Sequence, residues 1–132
     1  MKENLMLGVL VLYKNQHCKV VILSTNGAVG VLDKKDATTV VQEQELELIP
    51  LTKEILEKNG FKIDMYSTLQ LCDGKWLEYY HHESRLRMWW KGVDEWENHS
   101  IETSLIFQCH VWNVHELQHA LRMCGIKKEI KL

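Results

Sequence analysis

The stretch CKVVILSTNGAVGVLD, Cys18 to Asp33, sets the fold class of this 132-residue chain. Two β-branched, apolar runs, CKVVIL and AVGVLD, flank Asn26-Gly27. A two-residue type I′ turn needs positive φ at both central positions, which Asn and Gly accept, and its twist matches that of the strands it joins. The stretch therefore predicts a β-hairpin turning at Asn26-Gly27. Outward from it, LMLGVLVLY, TTVVQE and ELELI are runs of the same kind, broken by Asn15-Gln16 and by Asp33 to Asp36. Five short strands in the first fifty residues predict a small twisted sheet, for which an SH3-like barrel is one closure.

Pro50 cannot donate to a strand ladder and stops the last of these runs. In PLTKEILEKNGF, Thr52 is placed to cap a short helix over Thr52–Asn59, with Leu51 and Leu56 as a hydrophobic staple across the cap. Gly60 suits the C′ position and Phe61 can fold back on the final turn. This helix is expected to cover an open face or edge of the first sheet. Strand signals return between Phe61 and Trp112: LQLC, the turn Asp73-Gly74, KWLEYY, the turn HHES, RLRMWW, a polar loop from Asp94 to Asn98, and ETSLIFQCHVW. They read as an antiparallel meander. A helix over Val114–Cys124 follows, then KKEIKL as an edge strand. The class is α+β. Residues 1–50 form a small β-sheet or barrel subdomain and residues 51–132 an α+β subdomain, an arrangement compatible with one compact unit.

Charge excludes more than it identifies. Net charge is −2, with five basic and six acidic residues before Pro50 and eleven and twelve after it. Neither half is the basic surface that non-specific phosphate binding requires, so charge gives nucleic acid no support as a partner. No apolar run is long enough to span a bilayer, and no membrane role is expected. MKENLMLGVLVLYKNQ lacks a small-residue cleavage site and continues into strand-like sequence, so it reads as a first strand rather than a leader. Cys18, Cys72, Cys109 and Cys124 form no C-x-x-C pair, which favours reduced, buried thiols and a cytoplasmic setting.

One motif carries chemistry in other proteins. His115-Glu116-Leu117-Gln118-His119 fits H-E-x-x-H, in which histidines one helical turn apart bind zinc and the glutamate acts as base. A catalytic site needs a third ligand. In the extended H-E-x-x-H-x-x-G-x-x-H form the glycine and third histidine would fall at Arg122 and Gly125, and neither fits. A later glutamate has only Glu129 to supply it, and His110 upstream departs from the usual topology. Asn113 and Glu116 instead resemble a capping box. Val114, Leu117, Ala120, Leu121 and Cys124 form an apolar stripe, and at about 100° per residue His115 and His119 centre roughly 180° from it. Both histidines are therefore expected to face solvent, with His115, His119 and Glu116 as the alternative metal-dependent hydrolase site. Cys109, His115, His119 and Cys124 do not have zinc-finger spacing, because His115 and Cys124 lie on opposite helix faces.

Aromatic residues supply the other candidates. Trp76, Trp89, Trp90, Trp96 and Trp112 are many for this length. Trp89 and Trp90 must point to opposite faces of a strand, so one packs inward and the other is placed to anchor a partner. Tyr79, Tyr80, His81 and His82 sit beside Glu83 at a turn, where His99 or His110 could join a polar site; a solvated turn is the plainer reading. No P-loop, G-x-G-x-x-G or nucleophile elbow occurs.

Two segments, ELELIPLTKEILEKNGFK and NVHELQHALRMCGIKKEI, resemble an uncharacterised family of small proteins from gut Bacteroidetes and their prophage-like elements. There the first follows I-x-P-I-P-L-T-x-E-I-L-x-x-x-G-F and the second Y-V-H-x-L-Q, with Asn113 in place of the tyrosine. The resemblance implies a common fold and no stated activity. It also implies Gln or Asn at the positions of Glu116 and His119, which a helix without metal tolerates. The function expected is a non-catalytic binding or interaction module, phage or mobile-element associated, with a protein partner or self-association, no cofactor and no identified small molecule. Trp89, Trp90, Tyr79, Tyr80, His81 and His82 are its candidate binding residues.

Overall fold

A computed structural model describes residues 5–71, 74–93 and 100–132, with backbone alone at 92, 93 and 100–102. Trp96, His99, Cys72, Asp73 and the Asp94 to Asn98 loop lie outside the described residues. The architecture is α+β: two antiparallel sheets and two helices. The chain divides into two compact units, one running to Pro50 and rejoined by Trp112–Glu129, the other made of Leu51–Val111 with Ile130–Leu132.

The first unit holds β1 (Leu10–Tyr13), β2 (Gln16–Leu23), β3 (Ala28–Leu32), β4 (Thr38–Gln42), a 3-10 turn over Glu43–Glu45 and β5 (Leu46–Glu47). The order across the sheet is β4-β3-β2-β1-β5. The expected strands are present, but no pairing among the described residues joins β4 to β5, so the sheet is open rather than a closed barrel. β5 is too short to do more, meeting β1 only at Leu12↔Glu47 and Tyr13↔Leu46. Alternation buries one face: Val9, Val11, Cys18, Val20, Val29, Val31, Val41 and Leu46 form its core. Each fully buried valine contributes roughly 1.5–3 kcal/mol over an exposed one.

The turns follow a different rule from the one expected at Asn26-Gly27. Only Gly27 has positive φ there. Asn26 Oδ1 accepts the Ala28 N–H at 3.1 Å, and the loop closes through Ser24 N–H to the Ala28 carbonyl. The result is a three-residue loop with its left-handed residue last. Asp33 to Ala37 repeats the design: Asp33 Oδ1 accepts from Lys35 and Ala37 N–H, and Asp36 takes the positive φ. The Asn26 carboxamide inside the first loop and the Asp33 carboxylate at the entrance of the second each hold the peptide groups that follow, which favours the three-residue loop over the tighter turn. Paired positive φ occurs instead at Lys14 and Asn15, between β1 and β2.

The second unit opens with α1 (Lys53–Lys58), then β6 (Lys62–Ile63), β7 (Ser67–Gln70), β8 (Lys75–Tyr80), β9 (Arg85–Val93) and β10 (Ser100–His110), in the order β10-β9-β8-β7-β6. This is the expected meander. Thr52 Oγ1 accepts the Ile55 N–H at 3.2 Å and caps α1. At its far end Gly60, at φ +92°, lets Phe61 N–H return to the Leu56 carbonyl. Leu56 and Phe61 are buried. The helix packs beside β6, in its own unit.

The last helix, α2 (Val114–Met123), belongs to the first unit, although it follows the second in sequence. Asn113 bridges to Pro50, and Val114 N–H reaches the Ile49 carbonyl at 2.8 Å. The tail is not the edge strand expected of KKEIKL. Asn59 Oδ1 accepts the Lys131 N–H and Asn59 Nδ2 donates to the Lys131 carbonyl, each at 2.7 Å. Ile130 is buried beside this clamp. A side-chain amide thus takes both peptide groups that a neighbouring strand would have needed.

Candidate functional site

The H-E-x-x-H helix is built into the fold. Asn113 Oδ1 accepts the Glu116 N–H at 3.1 Å, as a cap should. Glu116 Oε1 reaches back to the Trp112 N–H at 3.2 Å. The glutamate that would serve as a base therefore ties down the helix entrance. Leu117 and Leu121 are buried, in agreement with the apolar stripe. His115 is not solvent-facing as expected: it is only 4% exposed. His119 is half-buried, with Nδ1 2.8 Å from Met6 Sδ.

The reason is a second covering surface. His115, Gln118, His119 and Arg122 share one arc of α2 at about 100° per residue, and the chain entering β1 lies along that arc. Gln118 Oε1 accepts the Leu10 N–H at 2.9 Å, and its Nε2 donates to the Gly8 carbonyl at 3.3 Å. Arg122 lies against Gly8. Gln118 supplies the donor and acceptor that a paired strand would offer residues 8–10. Among the described residues, no three of His, Cys, Asp and Glu converge as a metal site. Cys18 and Cys124 are also poor nucleophiles, since burial, with Asp33 nearby in the case of Cys18, pushes both thiols up.

The Tyr79–Glu83 turn is held together by its own residues. Tyr79 is buried and its hydroxyl donates to the Val111 carbonyl at 2.6 Å. Its ring meets His81 edge-on at 4.9 Å. His81 Nε2 lies 2.8 Å from Oγ of fully buried Ser67, a hydrogen bond that a neutral imidazole makes in either tautomer. Burial, with Lys53 and His82 adding positive charge, lowers the His81 pKa and keeps the ring neutral. Of Tyr79, Tyr80, His81 and His82, only His82 is well exposed. His110 does join the turn, with Nδ1 3.2 Å from the Glu83 carbonyl.

The strand register assigns the aromatic residues to faces. Tyr79 pairs with Leu86 and Leu77 with Met88, all buried, so the inner face carries odd-numbered residues of β8 and even-numbered residues of β9. Trp89 stands on the outer face opposite Trp76, and Trp90 on the inner face opposite Lys75 at its open end. The pair splits as strand geometry demands, and neither is fully buried. On the outer face Glu78, opposite Arg87, accepts from Trp76 Nε1 at 2.9 Å and from the Tyr80 hydroxyl. The Arg87 guanidinium lies 4.8 Å above the Tyr80 ring. Burial and Glu78 raise the Tyr80 pKa, so the phenol stays protonated. Glu78 and Arg87 organise this face, and sequence reasoning missed both; their alternation with aromatic residues was the available signal.

Tyr80 to His82 and Trp90 lie at opposite ends of the β8–β9 hairpin. Five residues of strand at about 3.4 Å each separate them, so they do not form one site. Trp90 instead has β10 beside it, paired with Ser104 and followed by a bulge after Leu105. Trp90, Leu105 and Ile106 are 39%, 43% and 49% exposed. No family model, curated protein or solved structure matches the chain.

Proposed function

We propose that the protein is a non-catalytic interaction module that takes a protein partner at the outer margin of its second sheet. The observation that carries this reading is the apolar exposure along the β9–β10 margin of the sheet: Trp90 on its inner face, Leu105 level with Trp89 on its outer face, and Ile106 at the bulge after Leu105. Apolar side chains along an edge strand offer a partner both apolar area and the backbone hydrogen bonds of its open side. The resemblance to prophage-associated proteins supports a role in a mobile-element assembly in the cytoplasm. A hydrolase at His115, Glu116 and His119 would need side chains that the helix already uses for its cap and its cover. The reading is tested by placing a photo-crosslinking amino acid at position 90 or 106 in the cells that make the protein. A discrete protein adduct from both positions, absent from position 53 and lost on adding Trp90→Ala to the 106 variant, is expected. Adducts from none of these positions, or equally from position 53, would reject it.

A further inference from the structure

The first sheet ends in β4, whose outward side is unusually plain. Thr38, Thr39, Val40 and Gln42 are exposed, and TTVVQ contains no charge, proline or glycine. Its register with β3 is unbroken from Ala28↔Gln42 to Leu32↔Thr38. Edge strands are normally blunted by charges, prolines or bulges, and β4 has none of them within its length.

The hydrogen bonds that flank β4 define which peptide groups it presents. Asp33 N–H donates to the Ala37 carbonyl, and Glu43 N–H donates to the Gly27 carbonyl. Antiparallel ladders alternate, so residues 37, 39, 41 and 43 bond inward to β3. Thr38, Val40 and Gln42 therefore turn their N–H and carbonyl groups outward. Glu45 Oε2 takes the Gln42 N–H at 3.2 Å, leaving the groups of Thr38 and Val40 and the Gln42 carbonyl for another strand.

We infer that β4 pairs antiparallel with β4 of a second copy, about a two-fold axis through Val40. Two features select a second copy in this orientation. Lys35 and Glu45 are exposed and each stands five residues from Val40, one before it and one after. Lys35 lies in the loop before β4 and Glu45 in the turn after it, so the two-fold brings the Lys35 end of each copy beside the Glu45 end of the other, whereas parallel pairing would bring like ends together. The axis also makes residue 40 a hydrogen-bonded pair with itself and sets each Thr38 N–H against a Gln42 carbonyl, while the Gln42 N–H stays with Glu45.

The side chains continue this symmetry. Ile22, Gly30 and Val40 form one row across β2, β3 and β4 on the outer face. Ile22 lies over Gly30 so closely that a Cβ there would come within 2.8 Å of it. Val40 is 66% exposed and Ile22 50%. Pairing sets Val40 against its symmetry mate and doubles the row, covering apolar area that one copy leaves open. The two five-stranded sheets become one continuous sheet.

Sedimentation of the full chain over a concentration series at low salt tests this, together with amide exchange at Val40. A dimer is expected, with the Val40 amide gaining protection as dimer forms. Val40→Lys places two ammonium groups directly opposite and should raise the dimer dissociation constant at least about tenfold. Lys35→Glu should weaken the dimer, and Lys35→Glu combined with Glu45→Lys should restore it. A chain that stays at 15.6 kDa up to roughly millimolar concentration overturns the inference. So does a dimer in which the Val40 amide stays unprotected, because that dimer would use another surface such as β10.

Discussion

Gln118→Met keeps the length and much of the volume of the side chain while removing its donor and acceptor. In the native protein the amide accepts from Leu10 N–H at 2.9 Å and donates to the Gly8 carbonyl at 3.3 Å. Each such bond contributes about 1 kcal/mol net, and a peptide group left without a partner away from water adds about 1–3 kcal/mol. Gln118 and Leu10 are half-buried, so water recovers part of the loss. The expected cost is about 1–3 kcal/mol. For a chain of this length that lowers Tm by roughly 3–12 °C. Urea unfolding followed by tryptophan fluorescence should show a lower midpoint at unchanged m-value. Amide exchange at Leu10 should speed up in the variant more than exchange in the β2–β3 ladder. A Gln118→Met protein within about 0.5 kcal/mol of wild type, with Leu10 exchange unchanged, would show that the amide is not what holds the strand to the helix.

Leu121→Ala empties a fully buried position and should cost about 2–5 kcal/mol by urea unfolding; a cost under about 1 kcal/mol would mean that α2 packs loosely. The pH dependence of stability should carry a His81 component. Its folded pKa lies below the ordinary 6.5, so its stabilising contribution is complete above that pH. The contribution is lost as pH falls through 6.5 toward the folded value. His81→Gln should flatten the stability profile in that window, and an unchanged slope would contradict the neutral, Ser67-bonded ring.

Local signals were legible wherever a residue's partner lay within a few positions. The Thr52 and Asn113 caps, the Gly60–Phe61 return and the splitting of Trp89 from Trp90 all follow from backbone geometry and short spacing. His115 was misplaced because a single apolar stripe assumes a single contact surface. α2 is covered on a second side by residues 6–10, through Gln118 and His119 rather than apolar packing, and hydropathy carries no trace of that. The tail failed for the same reason as His115. KEIKL has strand-like alternation, but Asn59, 72 residues away in sequence, takes its peptide groups. The Tyr79–His82 cluster was legible as a turn and not as a set of structural bonds, since Ser67 and Val111 reach it only in the folded sheet.

Native mass spectrometry of protein purified without a histidine tag and equilibrated with zinc bears most directly on whether the H-E-x-x-H helix serves structure rather than chemistry. Burial of His115, the Glu116 bond to Trp112 and the Met6 contact of His119 predict that the folded chain retains no stoichiometric zinc after buffer exchange. One zinc retained per chain, and lost in both His115→Gln and His119→Gln, would contradict it.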